Sequence, residues 1–200
     1  MKIAVDAMGG DFAPKAVVEG AILAANELPE HIKIVLIGQE ELILPLLQEG
    51  TYPSGSIEVV HAPEVIDMDE HPTKALTQKP NSSIVYGFTL LKEKKVDAFC
   101  SAGNTGAMMV GVFYTIKAIE GVLRPTISTV IPKVQGGYGL ILDVGLQADC
   151  KPENLLQNAI LGSIYAQTIL EIENPSVALI NIGEEEGKGN LLITFPPKSV

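Results

Sequence analysis

At 200 residues, with 46% hydrophobic and 19% charged side chains, the chain is long enough to bury a core and too apolar to be disordered. Its 14 Lys and Arg against 24 Asp and Glu leave a formal charge of −10 and no dense basic run, which argues against nucleic-acid binding. Cys100 and Cys150 lie far apart and outside any C-x-x-C spacing, so a disulfide scaffold and a zinc site are both disfavoured and a reducing cytoplasm is expected.

The elements follow in order. "KIAVDAM" reads as a strand and "PKAVVEGAILAANEL" as a helix, with Pro14 suited to a first turn. Asp6 and Asp11 interrupt this start, so it is no signal peptide. "HIKIVLIG" is nearly continuous in apolar residues, as expected of a strand covered on both faces. "QEELILPLLQEG" is helical and closes on Gly50, with Pro45 expected to kink it or delay its start. "SIEVVHA" is a third strand, "TKALTQ" a short helix, and "SSIVYGFTLLKEKK" a helix with serines placed to cap it. "VDAFCS" is a strand and "GAMMVGVFYTIKAI" a helix whose uncharged stretch, residues 106–116, is about half a bilayer span.

"TISTVIP" and "YGLILDVG" are two strands around a turn at residues 135–137. "KPENLLQNAILGSIYAQTIL" is a long helix and "SVALINIG" a last strand. Helices between strands imply parallel pairing with right-handed crossovers, hence a three-layer α/β/α sandwich with a mostly parallel sheet. No linker or repeat marks a domain boundary. After residue 190 the chain offers "LLITFPPKSV", where Pro196 and Pro197 forbid the helix that the pattern calls for.

Ligands of open α/β sheets collect beyond the carboxyl ends of strands. Loops sparing in bulky side chains fall at five such ends: "DAMGGDFAP", "PEVIDMDEHP", "SAGNTG", "DVGLQADCKP" and "NIGEEEGKGN". Parallel topology would put all five on one rim. "SAGNTG" offers Ser101, Asn104 and Thr105 with the N–H groups that open a helix, which suits phosphate; a plain strand-to-helix turn accounts for it equally. It lacks the Lys of a Walker loop and spells no G-x-G-x-x-G. In "DAMGGD", Asp6 can orient a hydroxyl, act as a base or simply cap the next helix. His31, His61 and His71 have no ligand-type spacing, and Cys100 reads as a buried strand-end thiol rather than a nucleophile.

Taken together, "IAVDAMGGDFAPKAVVEGA", "NSSI", "SAGNTGA", "LDVG…ADCKPE" and "NIGEEEGKGN" resemble the phosphate acyltransferases of bacterial phospholipid synthesis, colinearly to about Leu192. The resemblance implies transfer of a fatty acyl group from acyl carrier protein to inorganic phosphate, without metal or organic cofactor. It implies a fold similar to isocitrate and isopropylmalate dehydrogenases and to phosphotransacetylases. It also implies a homodimer, cytoplasmic, with membrane contact through parts of the family's chain beyond this one. Residues 1–192 then correspond to the N-terminal portion of such an enzyme and residues 193–200 to a tail that does not match.

On this resemblance, Ser101, Gly103, Asn104, Thr105 and Gly106 cradle phosphate, Gly9 and Gly10 wall the pocket, and Asn81, Ser82 and Ser83 add polar contacts. Lys79 and Lys188 balance charge, Asn104, Lys188 and Asp6 are the catalytic candidates, and Asn190 and Asp149 are weaker ones. The family's basic cluster before the paired serines is reduced here to Lys79, followed by Pro80. A phosphate-binding module without turnover and a nicotinamide-dependent dehydrogenase are the competing readings.

Overall fold

The structure is a computed structural model that describes residues 1–144 and 150–180. The chain divides into two compact units, residues 1–117 and 118–200, although no linker composition marks the junction.

The first unit is a four-stranded parallel sheet with helices on both faces. Its elements are β1 (Lys2–Asp6), α1 (Lys15–Glu27), β2 (Lys33–Gly38), α2 (Glu40–Glu49), β3 (Ile57–His61), α3 (Pro72–Gln78), α4 (Ser83–Lys92), β4 (Ala98–Cys100) and α5 (Thr105–Gly111). The strands lie in the order β3-β2-β1-β4, with Val5 opposite Leu36 on one side and Cys100 on the other. Alternation along β2 builds the layers. Ile34 and Leu36 join Val18, Ala21, Ala25, Ile43 and Leu47 beneath α1 and α2. Val35 and Ile37 point the other way, into a cluster with Ala4, Ala62 and Val96 that Tyr86, Leu90 and Leu91 of α4 cover. A third cluster of Ile66, Ala75, Ile84, Phe88 and Ala107 packs α3, α4 and α5 together beside β4.

Local expectations meet some exceptions. Helix α2 starts at Glu40, with no delay, and runs through Pro45, which forgoes the bond its absent N–H would make; Ile43 and Leu47, buried to either side, anchor both turns. The expected helix 106–119 is α-helical only to Gly111. It widens into a π-helical turn over Val112–Ile116 and ends at Lys117, whose φ of 70° cannot continue a right-handed helix. Cys100 is exposed, not buried; among the described residues β4 pairs on one side only, with β1.

In the second unit β5 (Ser128–Pro132) and β6 (Tyr138–Leu142) form an antiparallel hairpin, a separate two-stranded sheet closed by Gly136 and Gly137 at φ +87° and +78°. Helix α6 (Pro152–Thr168) buries Gly162 and Ala166, and Gly162 packs against Leu142 of β6. Residues 176–180 form no strand, since no neighbouring strand pairs with them among the described residues, and the rest of that expected strand lies outside them.

The expected single rim of five loops rested on parallel pairing throughout, which the described strands do not all show. Three of them, at residues 6–14, 63–72 and 101–106, follow the parallel strands β1, β3 and β4. The loop after β6 leaves a hairpin instead, and the "NIGEEEGKGN" loop lies outside the described residues.

Candidate functional site

Strand β1 ends on Asp6, a carboxylate only 2% exposed that the chain must satisfy from within. Its Oδ1 accepts the Met8 N–H at 3.0 Å, and its Oδ2 accepts the Ser101 hydroxyl at 2.7 Å. Ser101 Oγ in turn accepts the Gly103 N–H at 3.0 Å. Of the roles open to Asp6, the structure shows it orienting a hydroxyl; α1 has no side-chain cap.

The two loops touch backbone to backbone. A Cβ on Gly9 would lie 2.7 Å from Asp6 Oδ2, 2.8 Å from Gly103 N and 2.8 Å from Ser101 Oγ, so only glycine fits. Gly10, at φ +105°, turns the chain away again over Ala102.

Asn104 is the N-cap of α5 and is 5% exposed. Its Oδ1 accepts the Ala107 N–H at 2.9 Å, and its Nδ2 donates to the carbonyls of Asp67 and Glu70, both at 3.0 Å, and of Met68 at 3.3 Å. Every polar atom of that side chain is engaged by the protein. As a free donor to phosphate Asn104 is therefore corrected: it caps one helix and ties down the loop after β3. The free donors are its neighbours. Thr105 and Gly106 open α5, and their N–H groups have no acceptor within the described residues. On the other side Pro72 of α3 packs against Gly106 so closely that a Cβ there would overlap its ring.

Lys79 is likewise engaged. Its Nζ donates to Val65 O at 2.6 Å and to Glu70 Oε1, and it lies 3.6 Å from Asp67 Oδ2. The Lys79 hydrogen bond, helped by the Asp67 N–H, holds Glu70 below the usual glutamate range, and Glu70 raises Lys79. Two carboxylates thus already neutralise the cation expected to face phosphate. Lys79 pins the same loop that Asn104 ties from the other side.

Ser82 is fully buried and caps α4, accepting the Val85 N–H at 3.5 Å; Ser83 is 1% exposed and its N–H donates to Glu64 O at 3.3 Å. Asn81 is exposed, and its N–H donates to Glu64 Oε2 at 2.7 Å. The hydrogen bonds of these three residues run to the loop after β3 and within the turn and first residues of α4, not to residues 101–106. Lys188, Asn190 and Asp149 lie outside the described residues. Among the described residues no cluster of His, Cys, Asp and Glu is placed to hold a metal ion, and no helix is long and apolar enough to cross a membrane.

The loop after β3 is the part the sequence reading underweights. Its role rests on backbone carbonyls, which no residue type announces. Asn104 standing just before the apolar helical run was the legible half, as an N-cap signal.

The chain as a whole is similar to known proteins. The family model described as fatty acid synthesis protein matches residues 1–195. The phosphate acyltransferase of Dictyoglomus turgidum is 51% identical over 193 residues, which is 96% of this chain and 57% of that protein. The phosphate acyltransferase of Desulfitobacterium hafniense is 48% identical over 198 residues, 98% of this chain and 58% of the relative. The chain thus spans little more than half the length of these relatives. Among solved structures, a phosphotransacetylase from Streptococcus pyogenes aligns with a TM-score of 0.63 at 18% identity, over 86% of this chain and 55% of its own. One from Staphylococcus aureus aligns at 0.56 and 19%, over 83% and 52%. These two share the fold, an α/β architecture with a mostly parallel sheet.

Two outcomes follow from the tied loop. Asn104→Ala removes a buried cap and three carbonyl contacts and should cost about 1–3 kcal/mol in urea unfolding. Amide exchange at residues 67–70 should speed up before that of β2, and unchanged exchange there would contradict the tie. For acid, Glu70 is held low in the folded state, so its contribution is present above the ordinary glutamate value and lost as pH falls through the lower folded one. Loop exchange should therefore rise below about pH 4, and Glu70→Gln should abolish that rise.

Proposed function

The chain belongs to the fatty acid synthesis protein family, and from that premise we propose that it serves phosphate acyltransfer, moving a fatty acyl group from a thioester on acyl carrier protein to inorganic phosphate. Relatives about half identical over nearly the whole chain carry the name phosphate acyltransferase, which supports this class of reaction. On the same reading the working form is a cytoplasmic homodimer, and any membrane contact comes from parts of the family's longer chain.

The observation that carries the reading is the meeting of the β1 and β4 loops. Gly9 and Gly103 close on each other over the Asp6–Ser101 pair, and Thr105 and Gly106 present N–H groups without acceptors among the described residues at the same strand end. Backbone amides opening a helix suit a small anion, with the dipole in the favourable sense. The chemistry asks little more. A phosphate oxygen attacks the thioester carbonyl, a tetrahedral oxyanion forms, and the carrier's thiolate leaves. Holding the anion against the carbonyl supplies most of what such a step needs. Asp6 takes the role of holding Ser101 in place, and Ser101, Thr105 and Gly106 that of contacting phosphate.

A phosphate-binding module without turnover is the second reading, favoured by the engagement of Lys79 with Glu70 and Asp67. The two part on phosphate-dependent release of free thiol from acyl carrier protein, which the transferase reading requires. In that assay Gly9→Ala should raise the phosphate KM about tenfold or more while circular dichroism stays unchanged, because its Cβ forces the loops apart. An unaltered KM would contradict the placement of the site.

A further inference from the structure

Resting on the phosphate reading above, we propose that Asp6 fixes Ser101 as a hydrogen-bond acceptor, so that the site takes a protonated phosphoryl oxygen and rejects tetrahedral oxyanions that carry no hydroxyl.

The polarity follows from the partners. A carboxylate oxygen accepts and a backbone N–H donates, and neither can reverse. The Ser101 hydroxyl has one proton and two lone pairs. The proton points to Asp6 Oδ2 at 2.7 Å, and one lone pair receives the Gly103 N–H at 3.0 Å. What remains on this half-buried side chain is a lone pair. The carboxylate is fixed as well, since the Met8 N–H at 3.0 Å holds its other oxygen. Gly9 closes the third side, where even a Cβ would come within 2.8 Å of Ser101 Oγ. The hydroxyl therefore has no free proton to offer an oxyanion.

Whatever sits against that lone pair has to bring the proton. Near neutral pH inorganic phosphate carries at least one hydroxyl and sulfate carries none, while hydrogen phosphate and sulfate match in shape and charge. A sulfate oxygen would face an acceptor with no proton between them, and sites built around one hydroxyl discriminate strongly against analogues lacking it. There is a consequence for the reaction too. With the protonated oxygen held at Ser101, the unprotonated oxygens, the better nucleophiles, are the ones left to face the acyl carbonyl.

Calorimetric titration of the 200-residue chain with phosphate and with sulfate near pH 7 tests this. The unaltered protein should prefer phosphate by about 10- to 100-fold. In Asp6→Asn the Met8 N–H keeps the amide oxygen on its own side, which turns the amide nitrogen toward Ser101. That nitrogen then donates to Ser101 Oγ, whose proton is released toward the ligand, and the preference should shrink to within about threefold. Ser101→Ala removes the acceptor and leaves the Met8 contact intact. It should lower phosphate affinity and spare sulfate, so the proposal remains open to refutation if Asp6→Asn fails to fold. Equal binding of the two anions by the unaltered protein overturns the proposal and leaves the phosphate site standing. No binding of phosphate at all overturns the phosphate reading and this inference with it.

Discussion

A carboxylate at the end of a central strand, shut away from water, constrains everything around it. Asp6 has to be satisfied by neighbours, and those within reach are the Met8 N–H of its own loop and the Ser101 hydroxyl beyond β4. Meeting that demand draws the loop after β4 against the loop after β1 until their backbones touch at Gly9 and Gly103. Glycine at Gly9 is thus a requirement of the Asp6–Ser101 bond, and not only of a turn. The small side chains of "SAGNTG" leave the opening amides of α5 uncovered.

A second set of contacts holds the rim from the other flank. Asn104 binds three carbonyls of the loop after β3, and Lys79 binds the Glu70 carboxylate and the Val65 carbonyl of the same loop. Both residues look like ligand-binding groups when read one at a time. Together they keep an acidic loop folded down beside α5, which matters because loose carboxylates there would repel an anion. The hydrophobic layers beneath explain why the rim stays in register: Ile34 and Leu36 pack one way from β2, and Val35 and Ile37 the other.

Much of this architecture was legible. Alternation and near-continuous apolar runs located the strands of the first unit, and the serines before "IVYGF" marked a helix start. The parallel order could be inferred from helices lying between strands. Less legible was anything depending on partners distant in sequence. Lys79 looked like a free cation because a sequence does not show Glu70 folding back onto it. Asn104 looked like a donor because the carbonyls of residues 67–70 carry no signature. The hairpin of β5 and β6 was readable as two strands and a turn, but its separation from the parallel sheet was not, since pairing partners are chosen in three dimensions. In α2 burial outweighed a local rule, and Ile43 and Leu47 carried a helix through Pro45.

The central claim is that the ends of β1 and β4 form one small anion site built from main-chain amides. Titrating phosphate into the isotopically labelled chain and following backbone amide shifts reads that claim residue by residue. Saturable shifts at Thr105 and Gly106, with little change along β2 or α2, are the expected result. Shifts scattered over the surface, or none at these two amides when phosphate is bound, would contradict it.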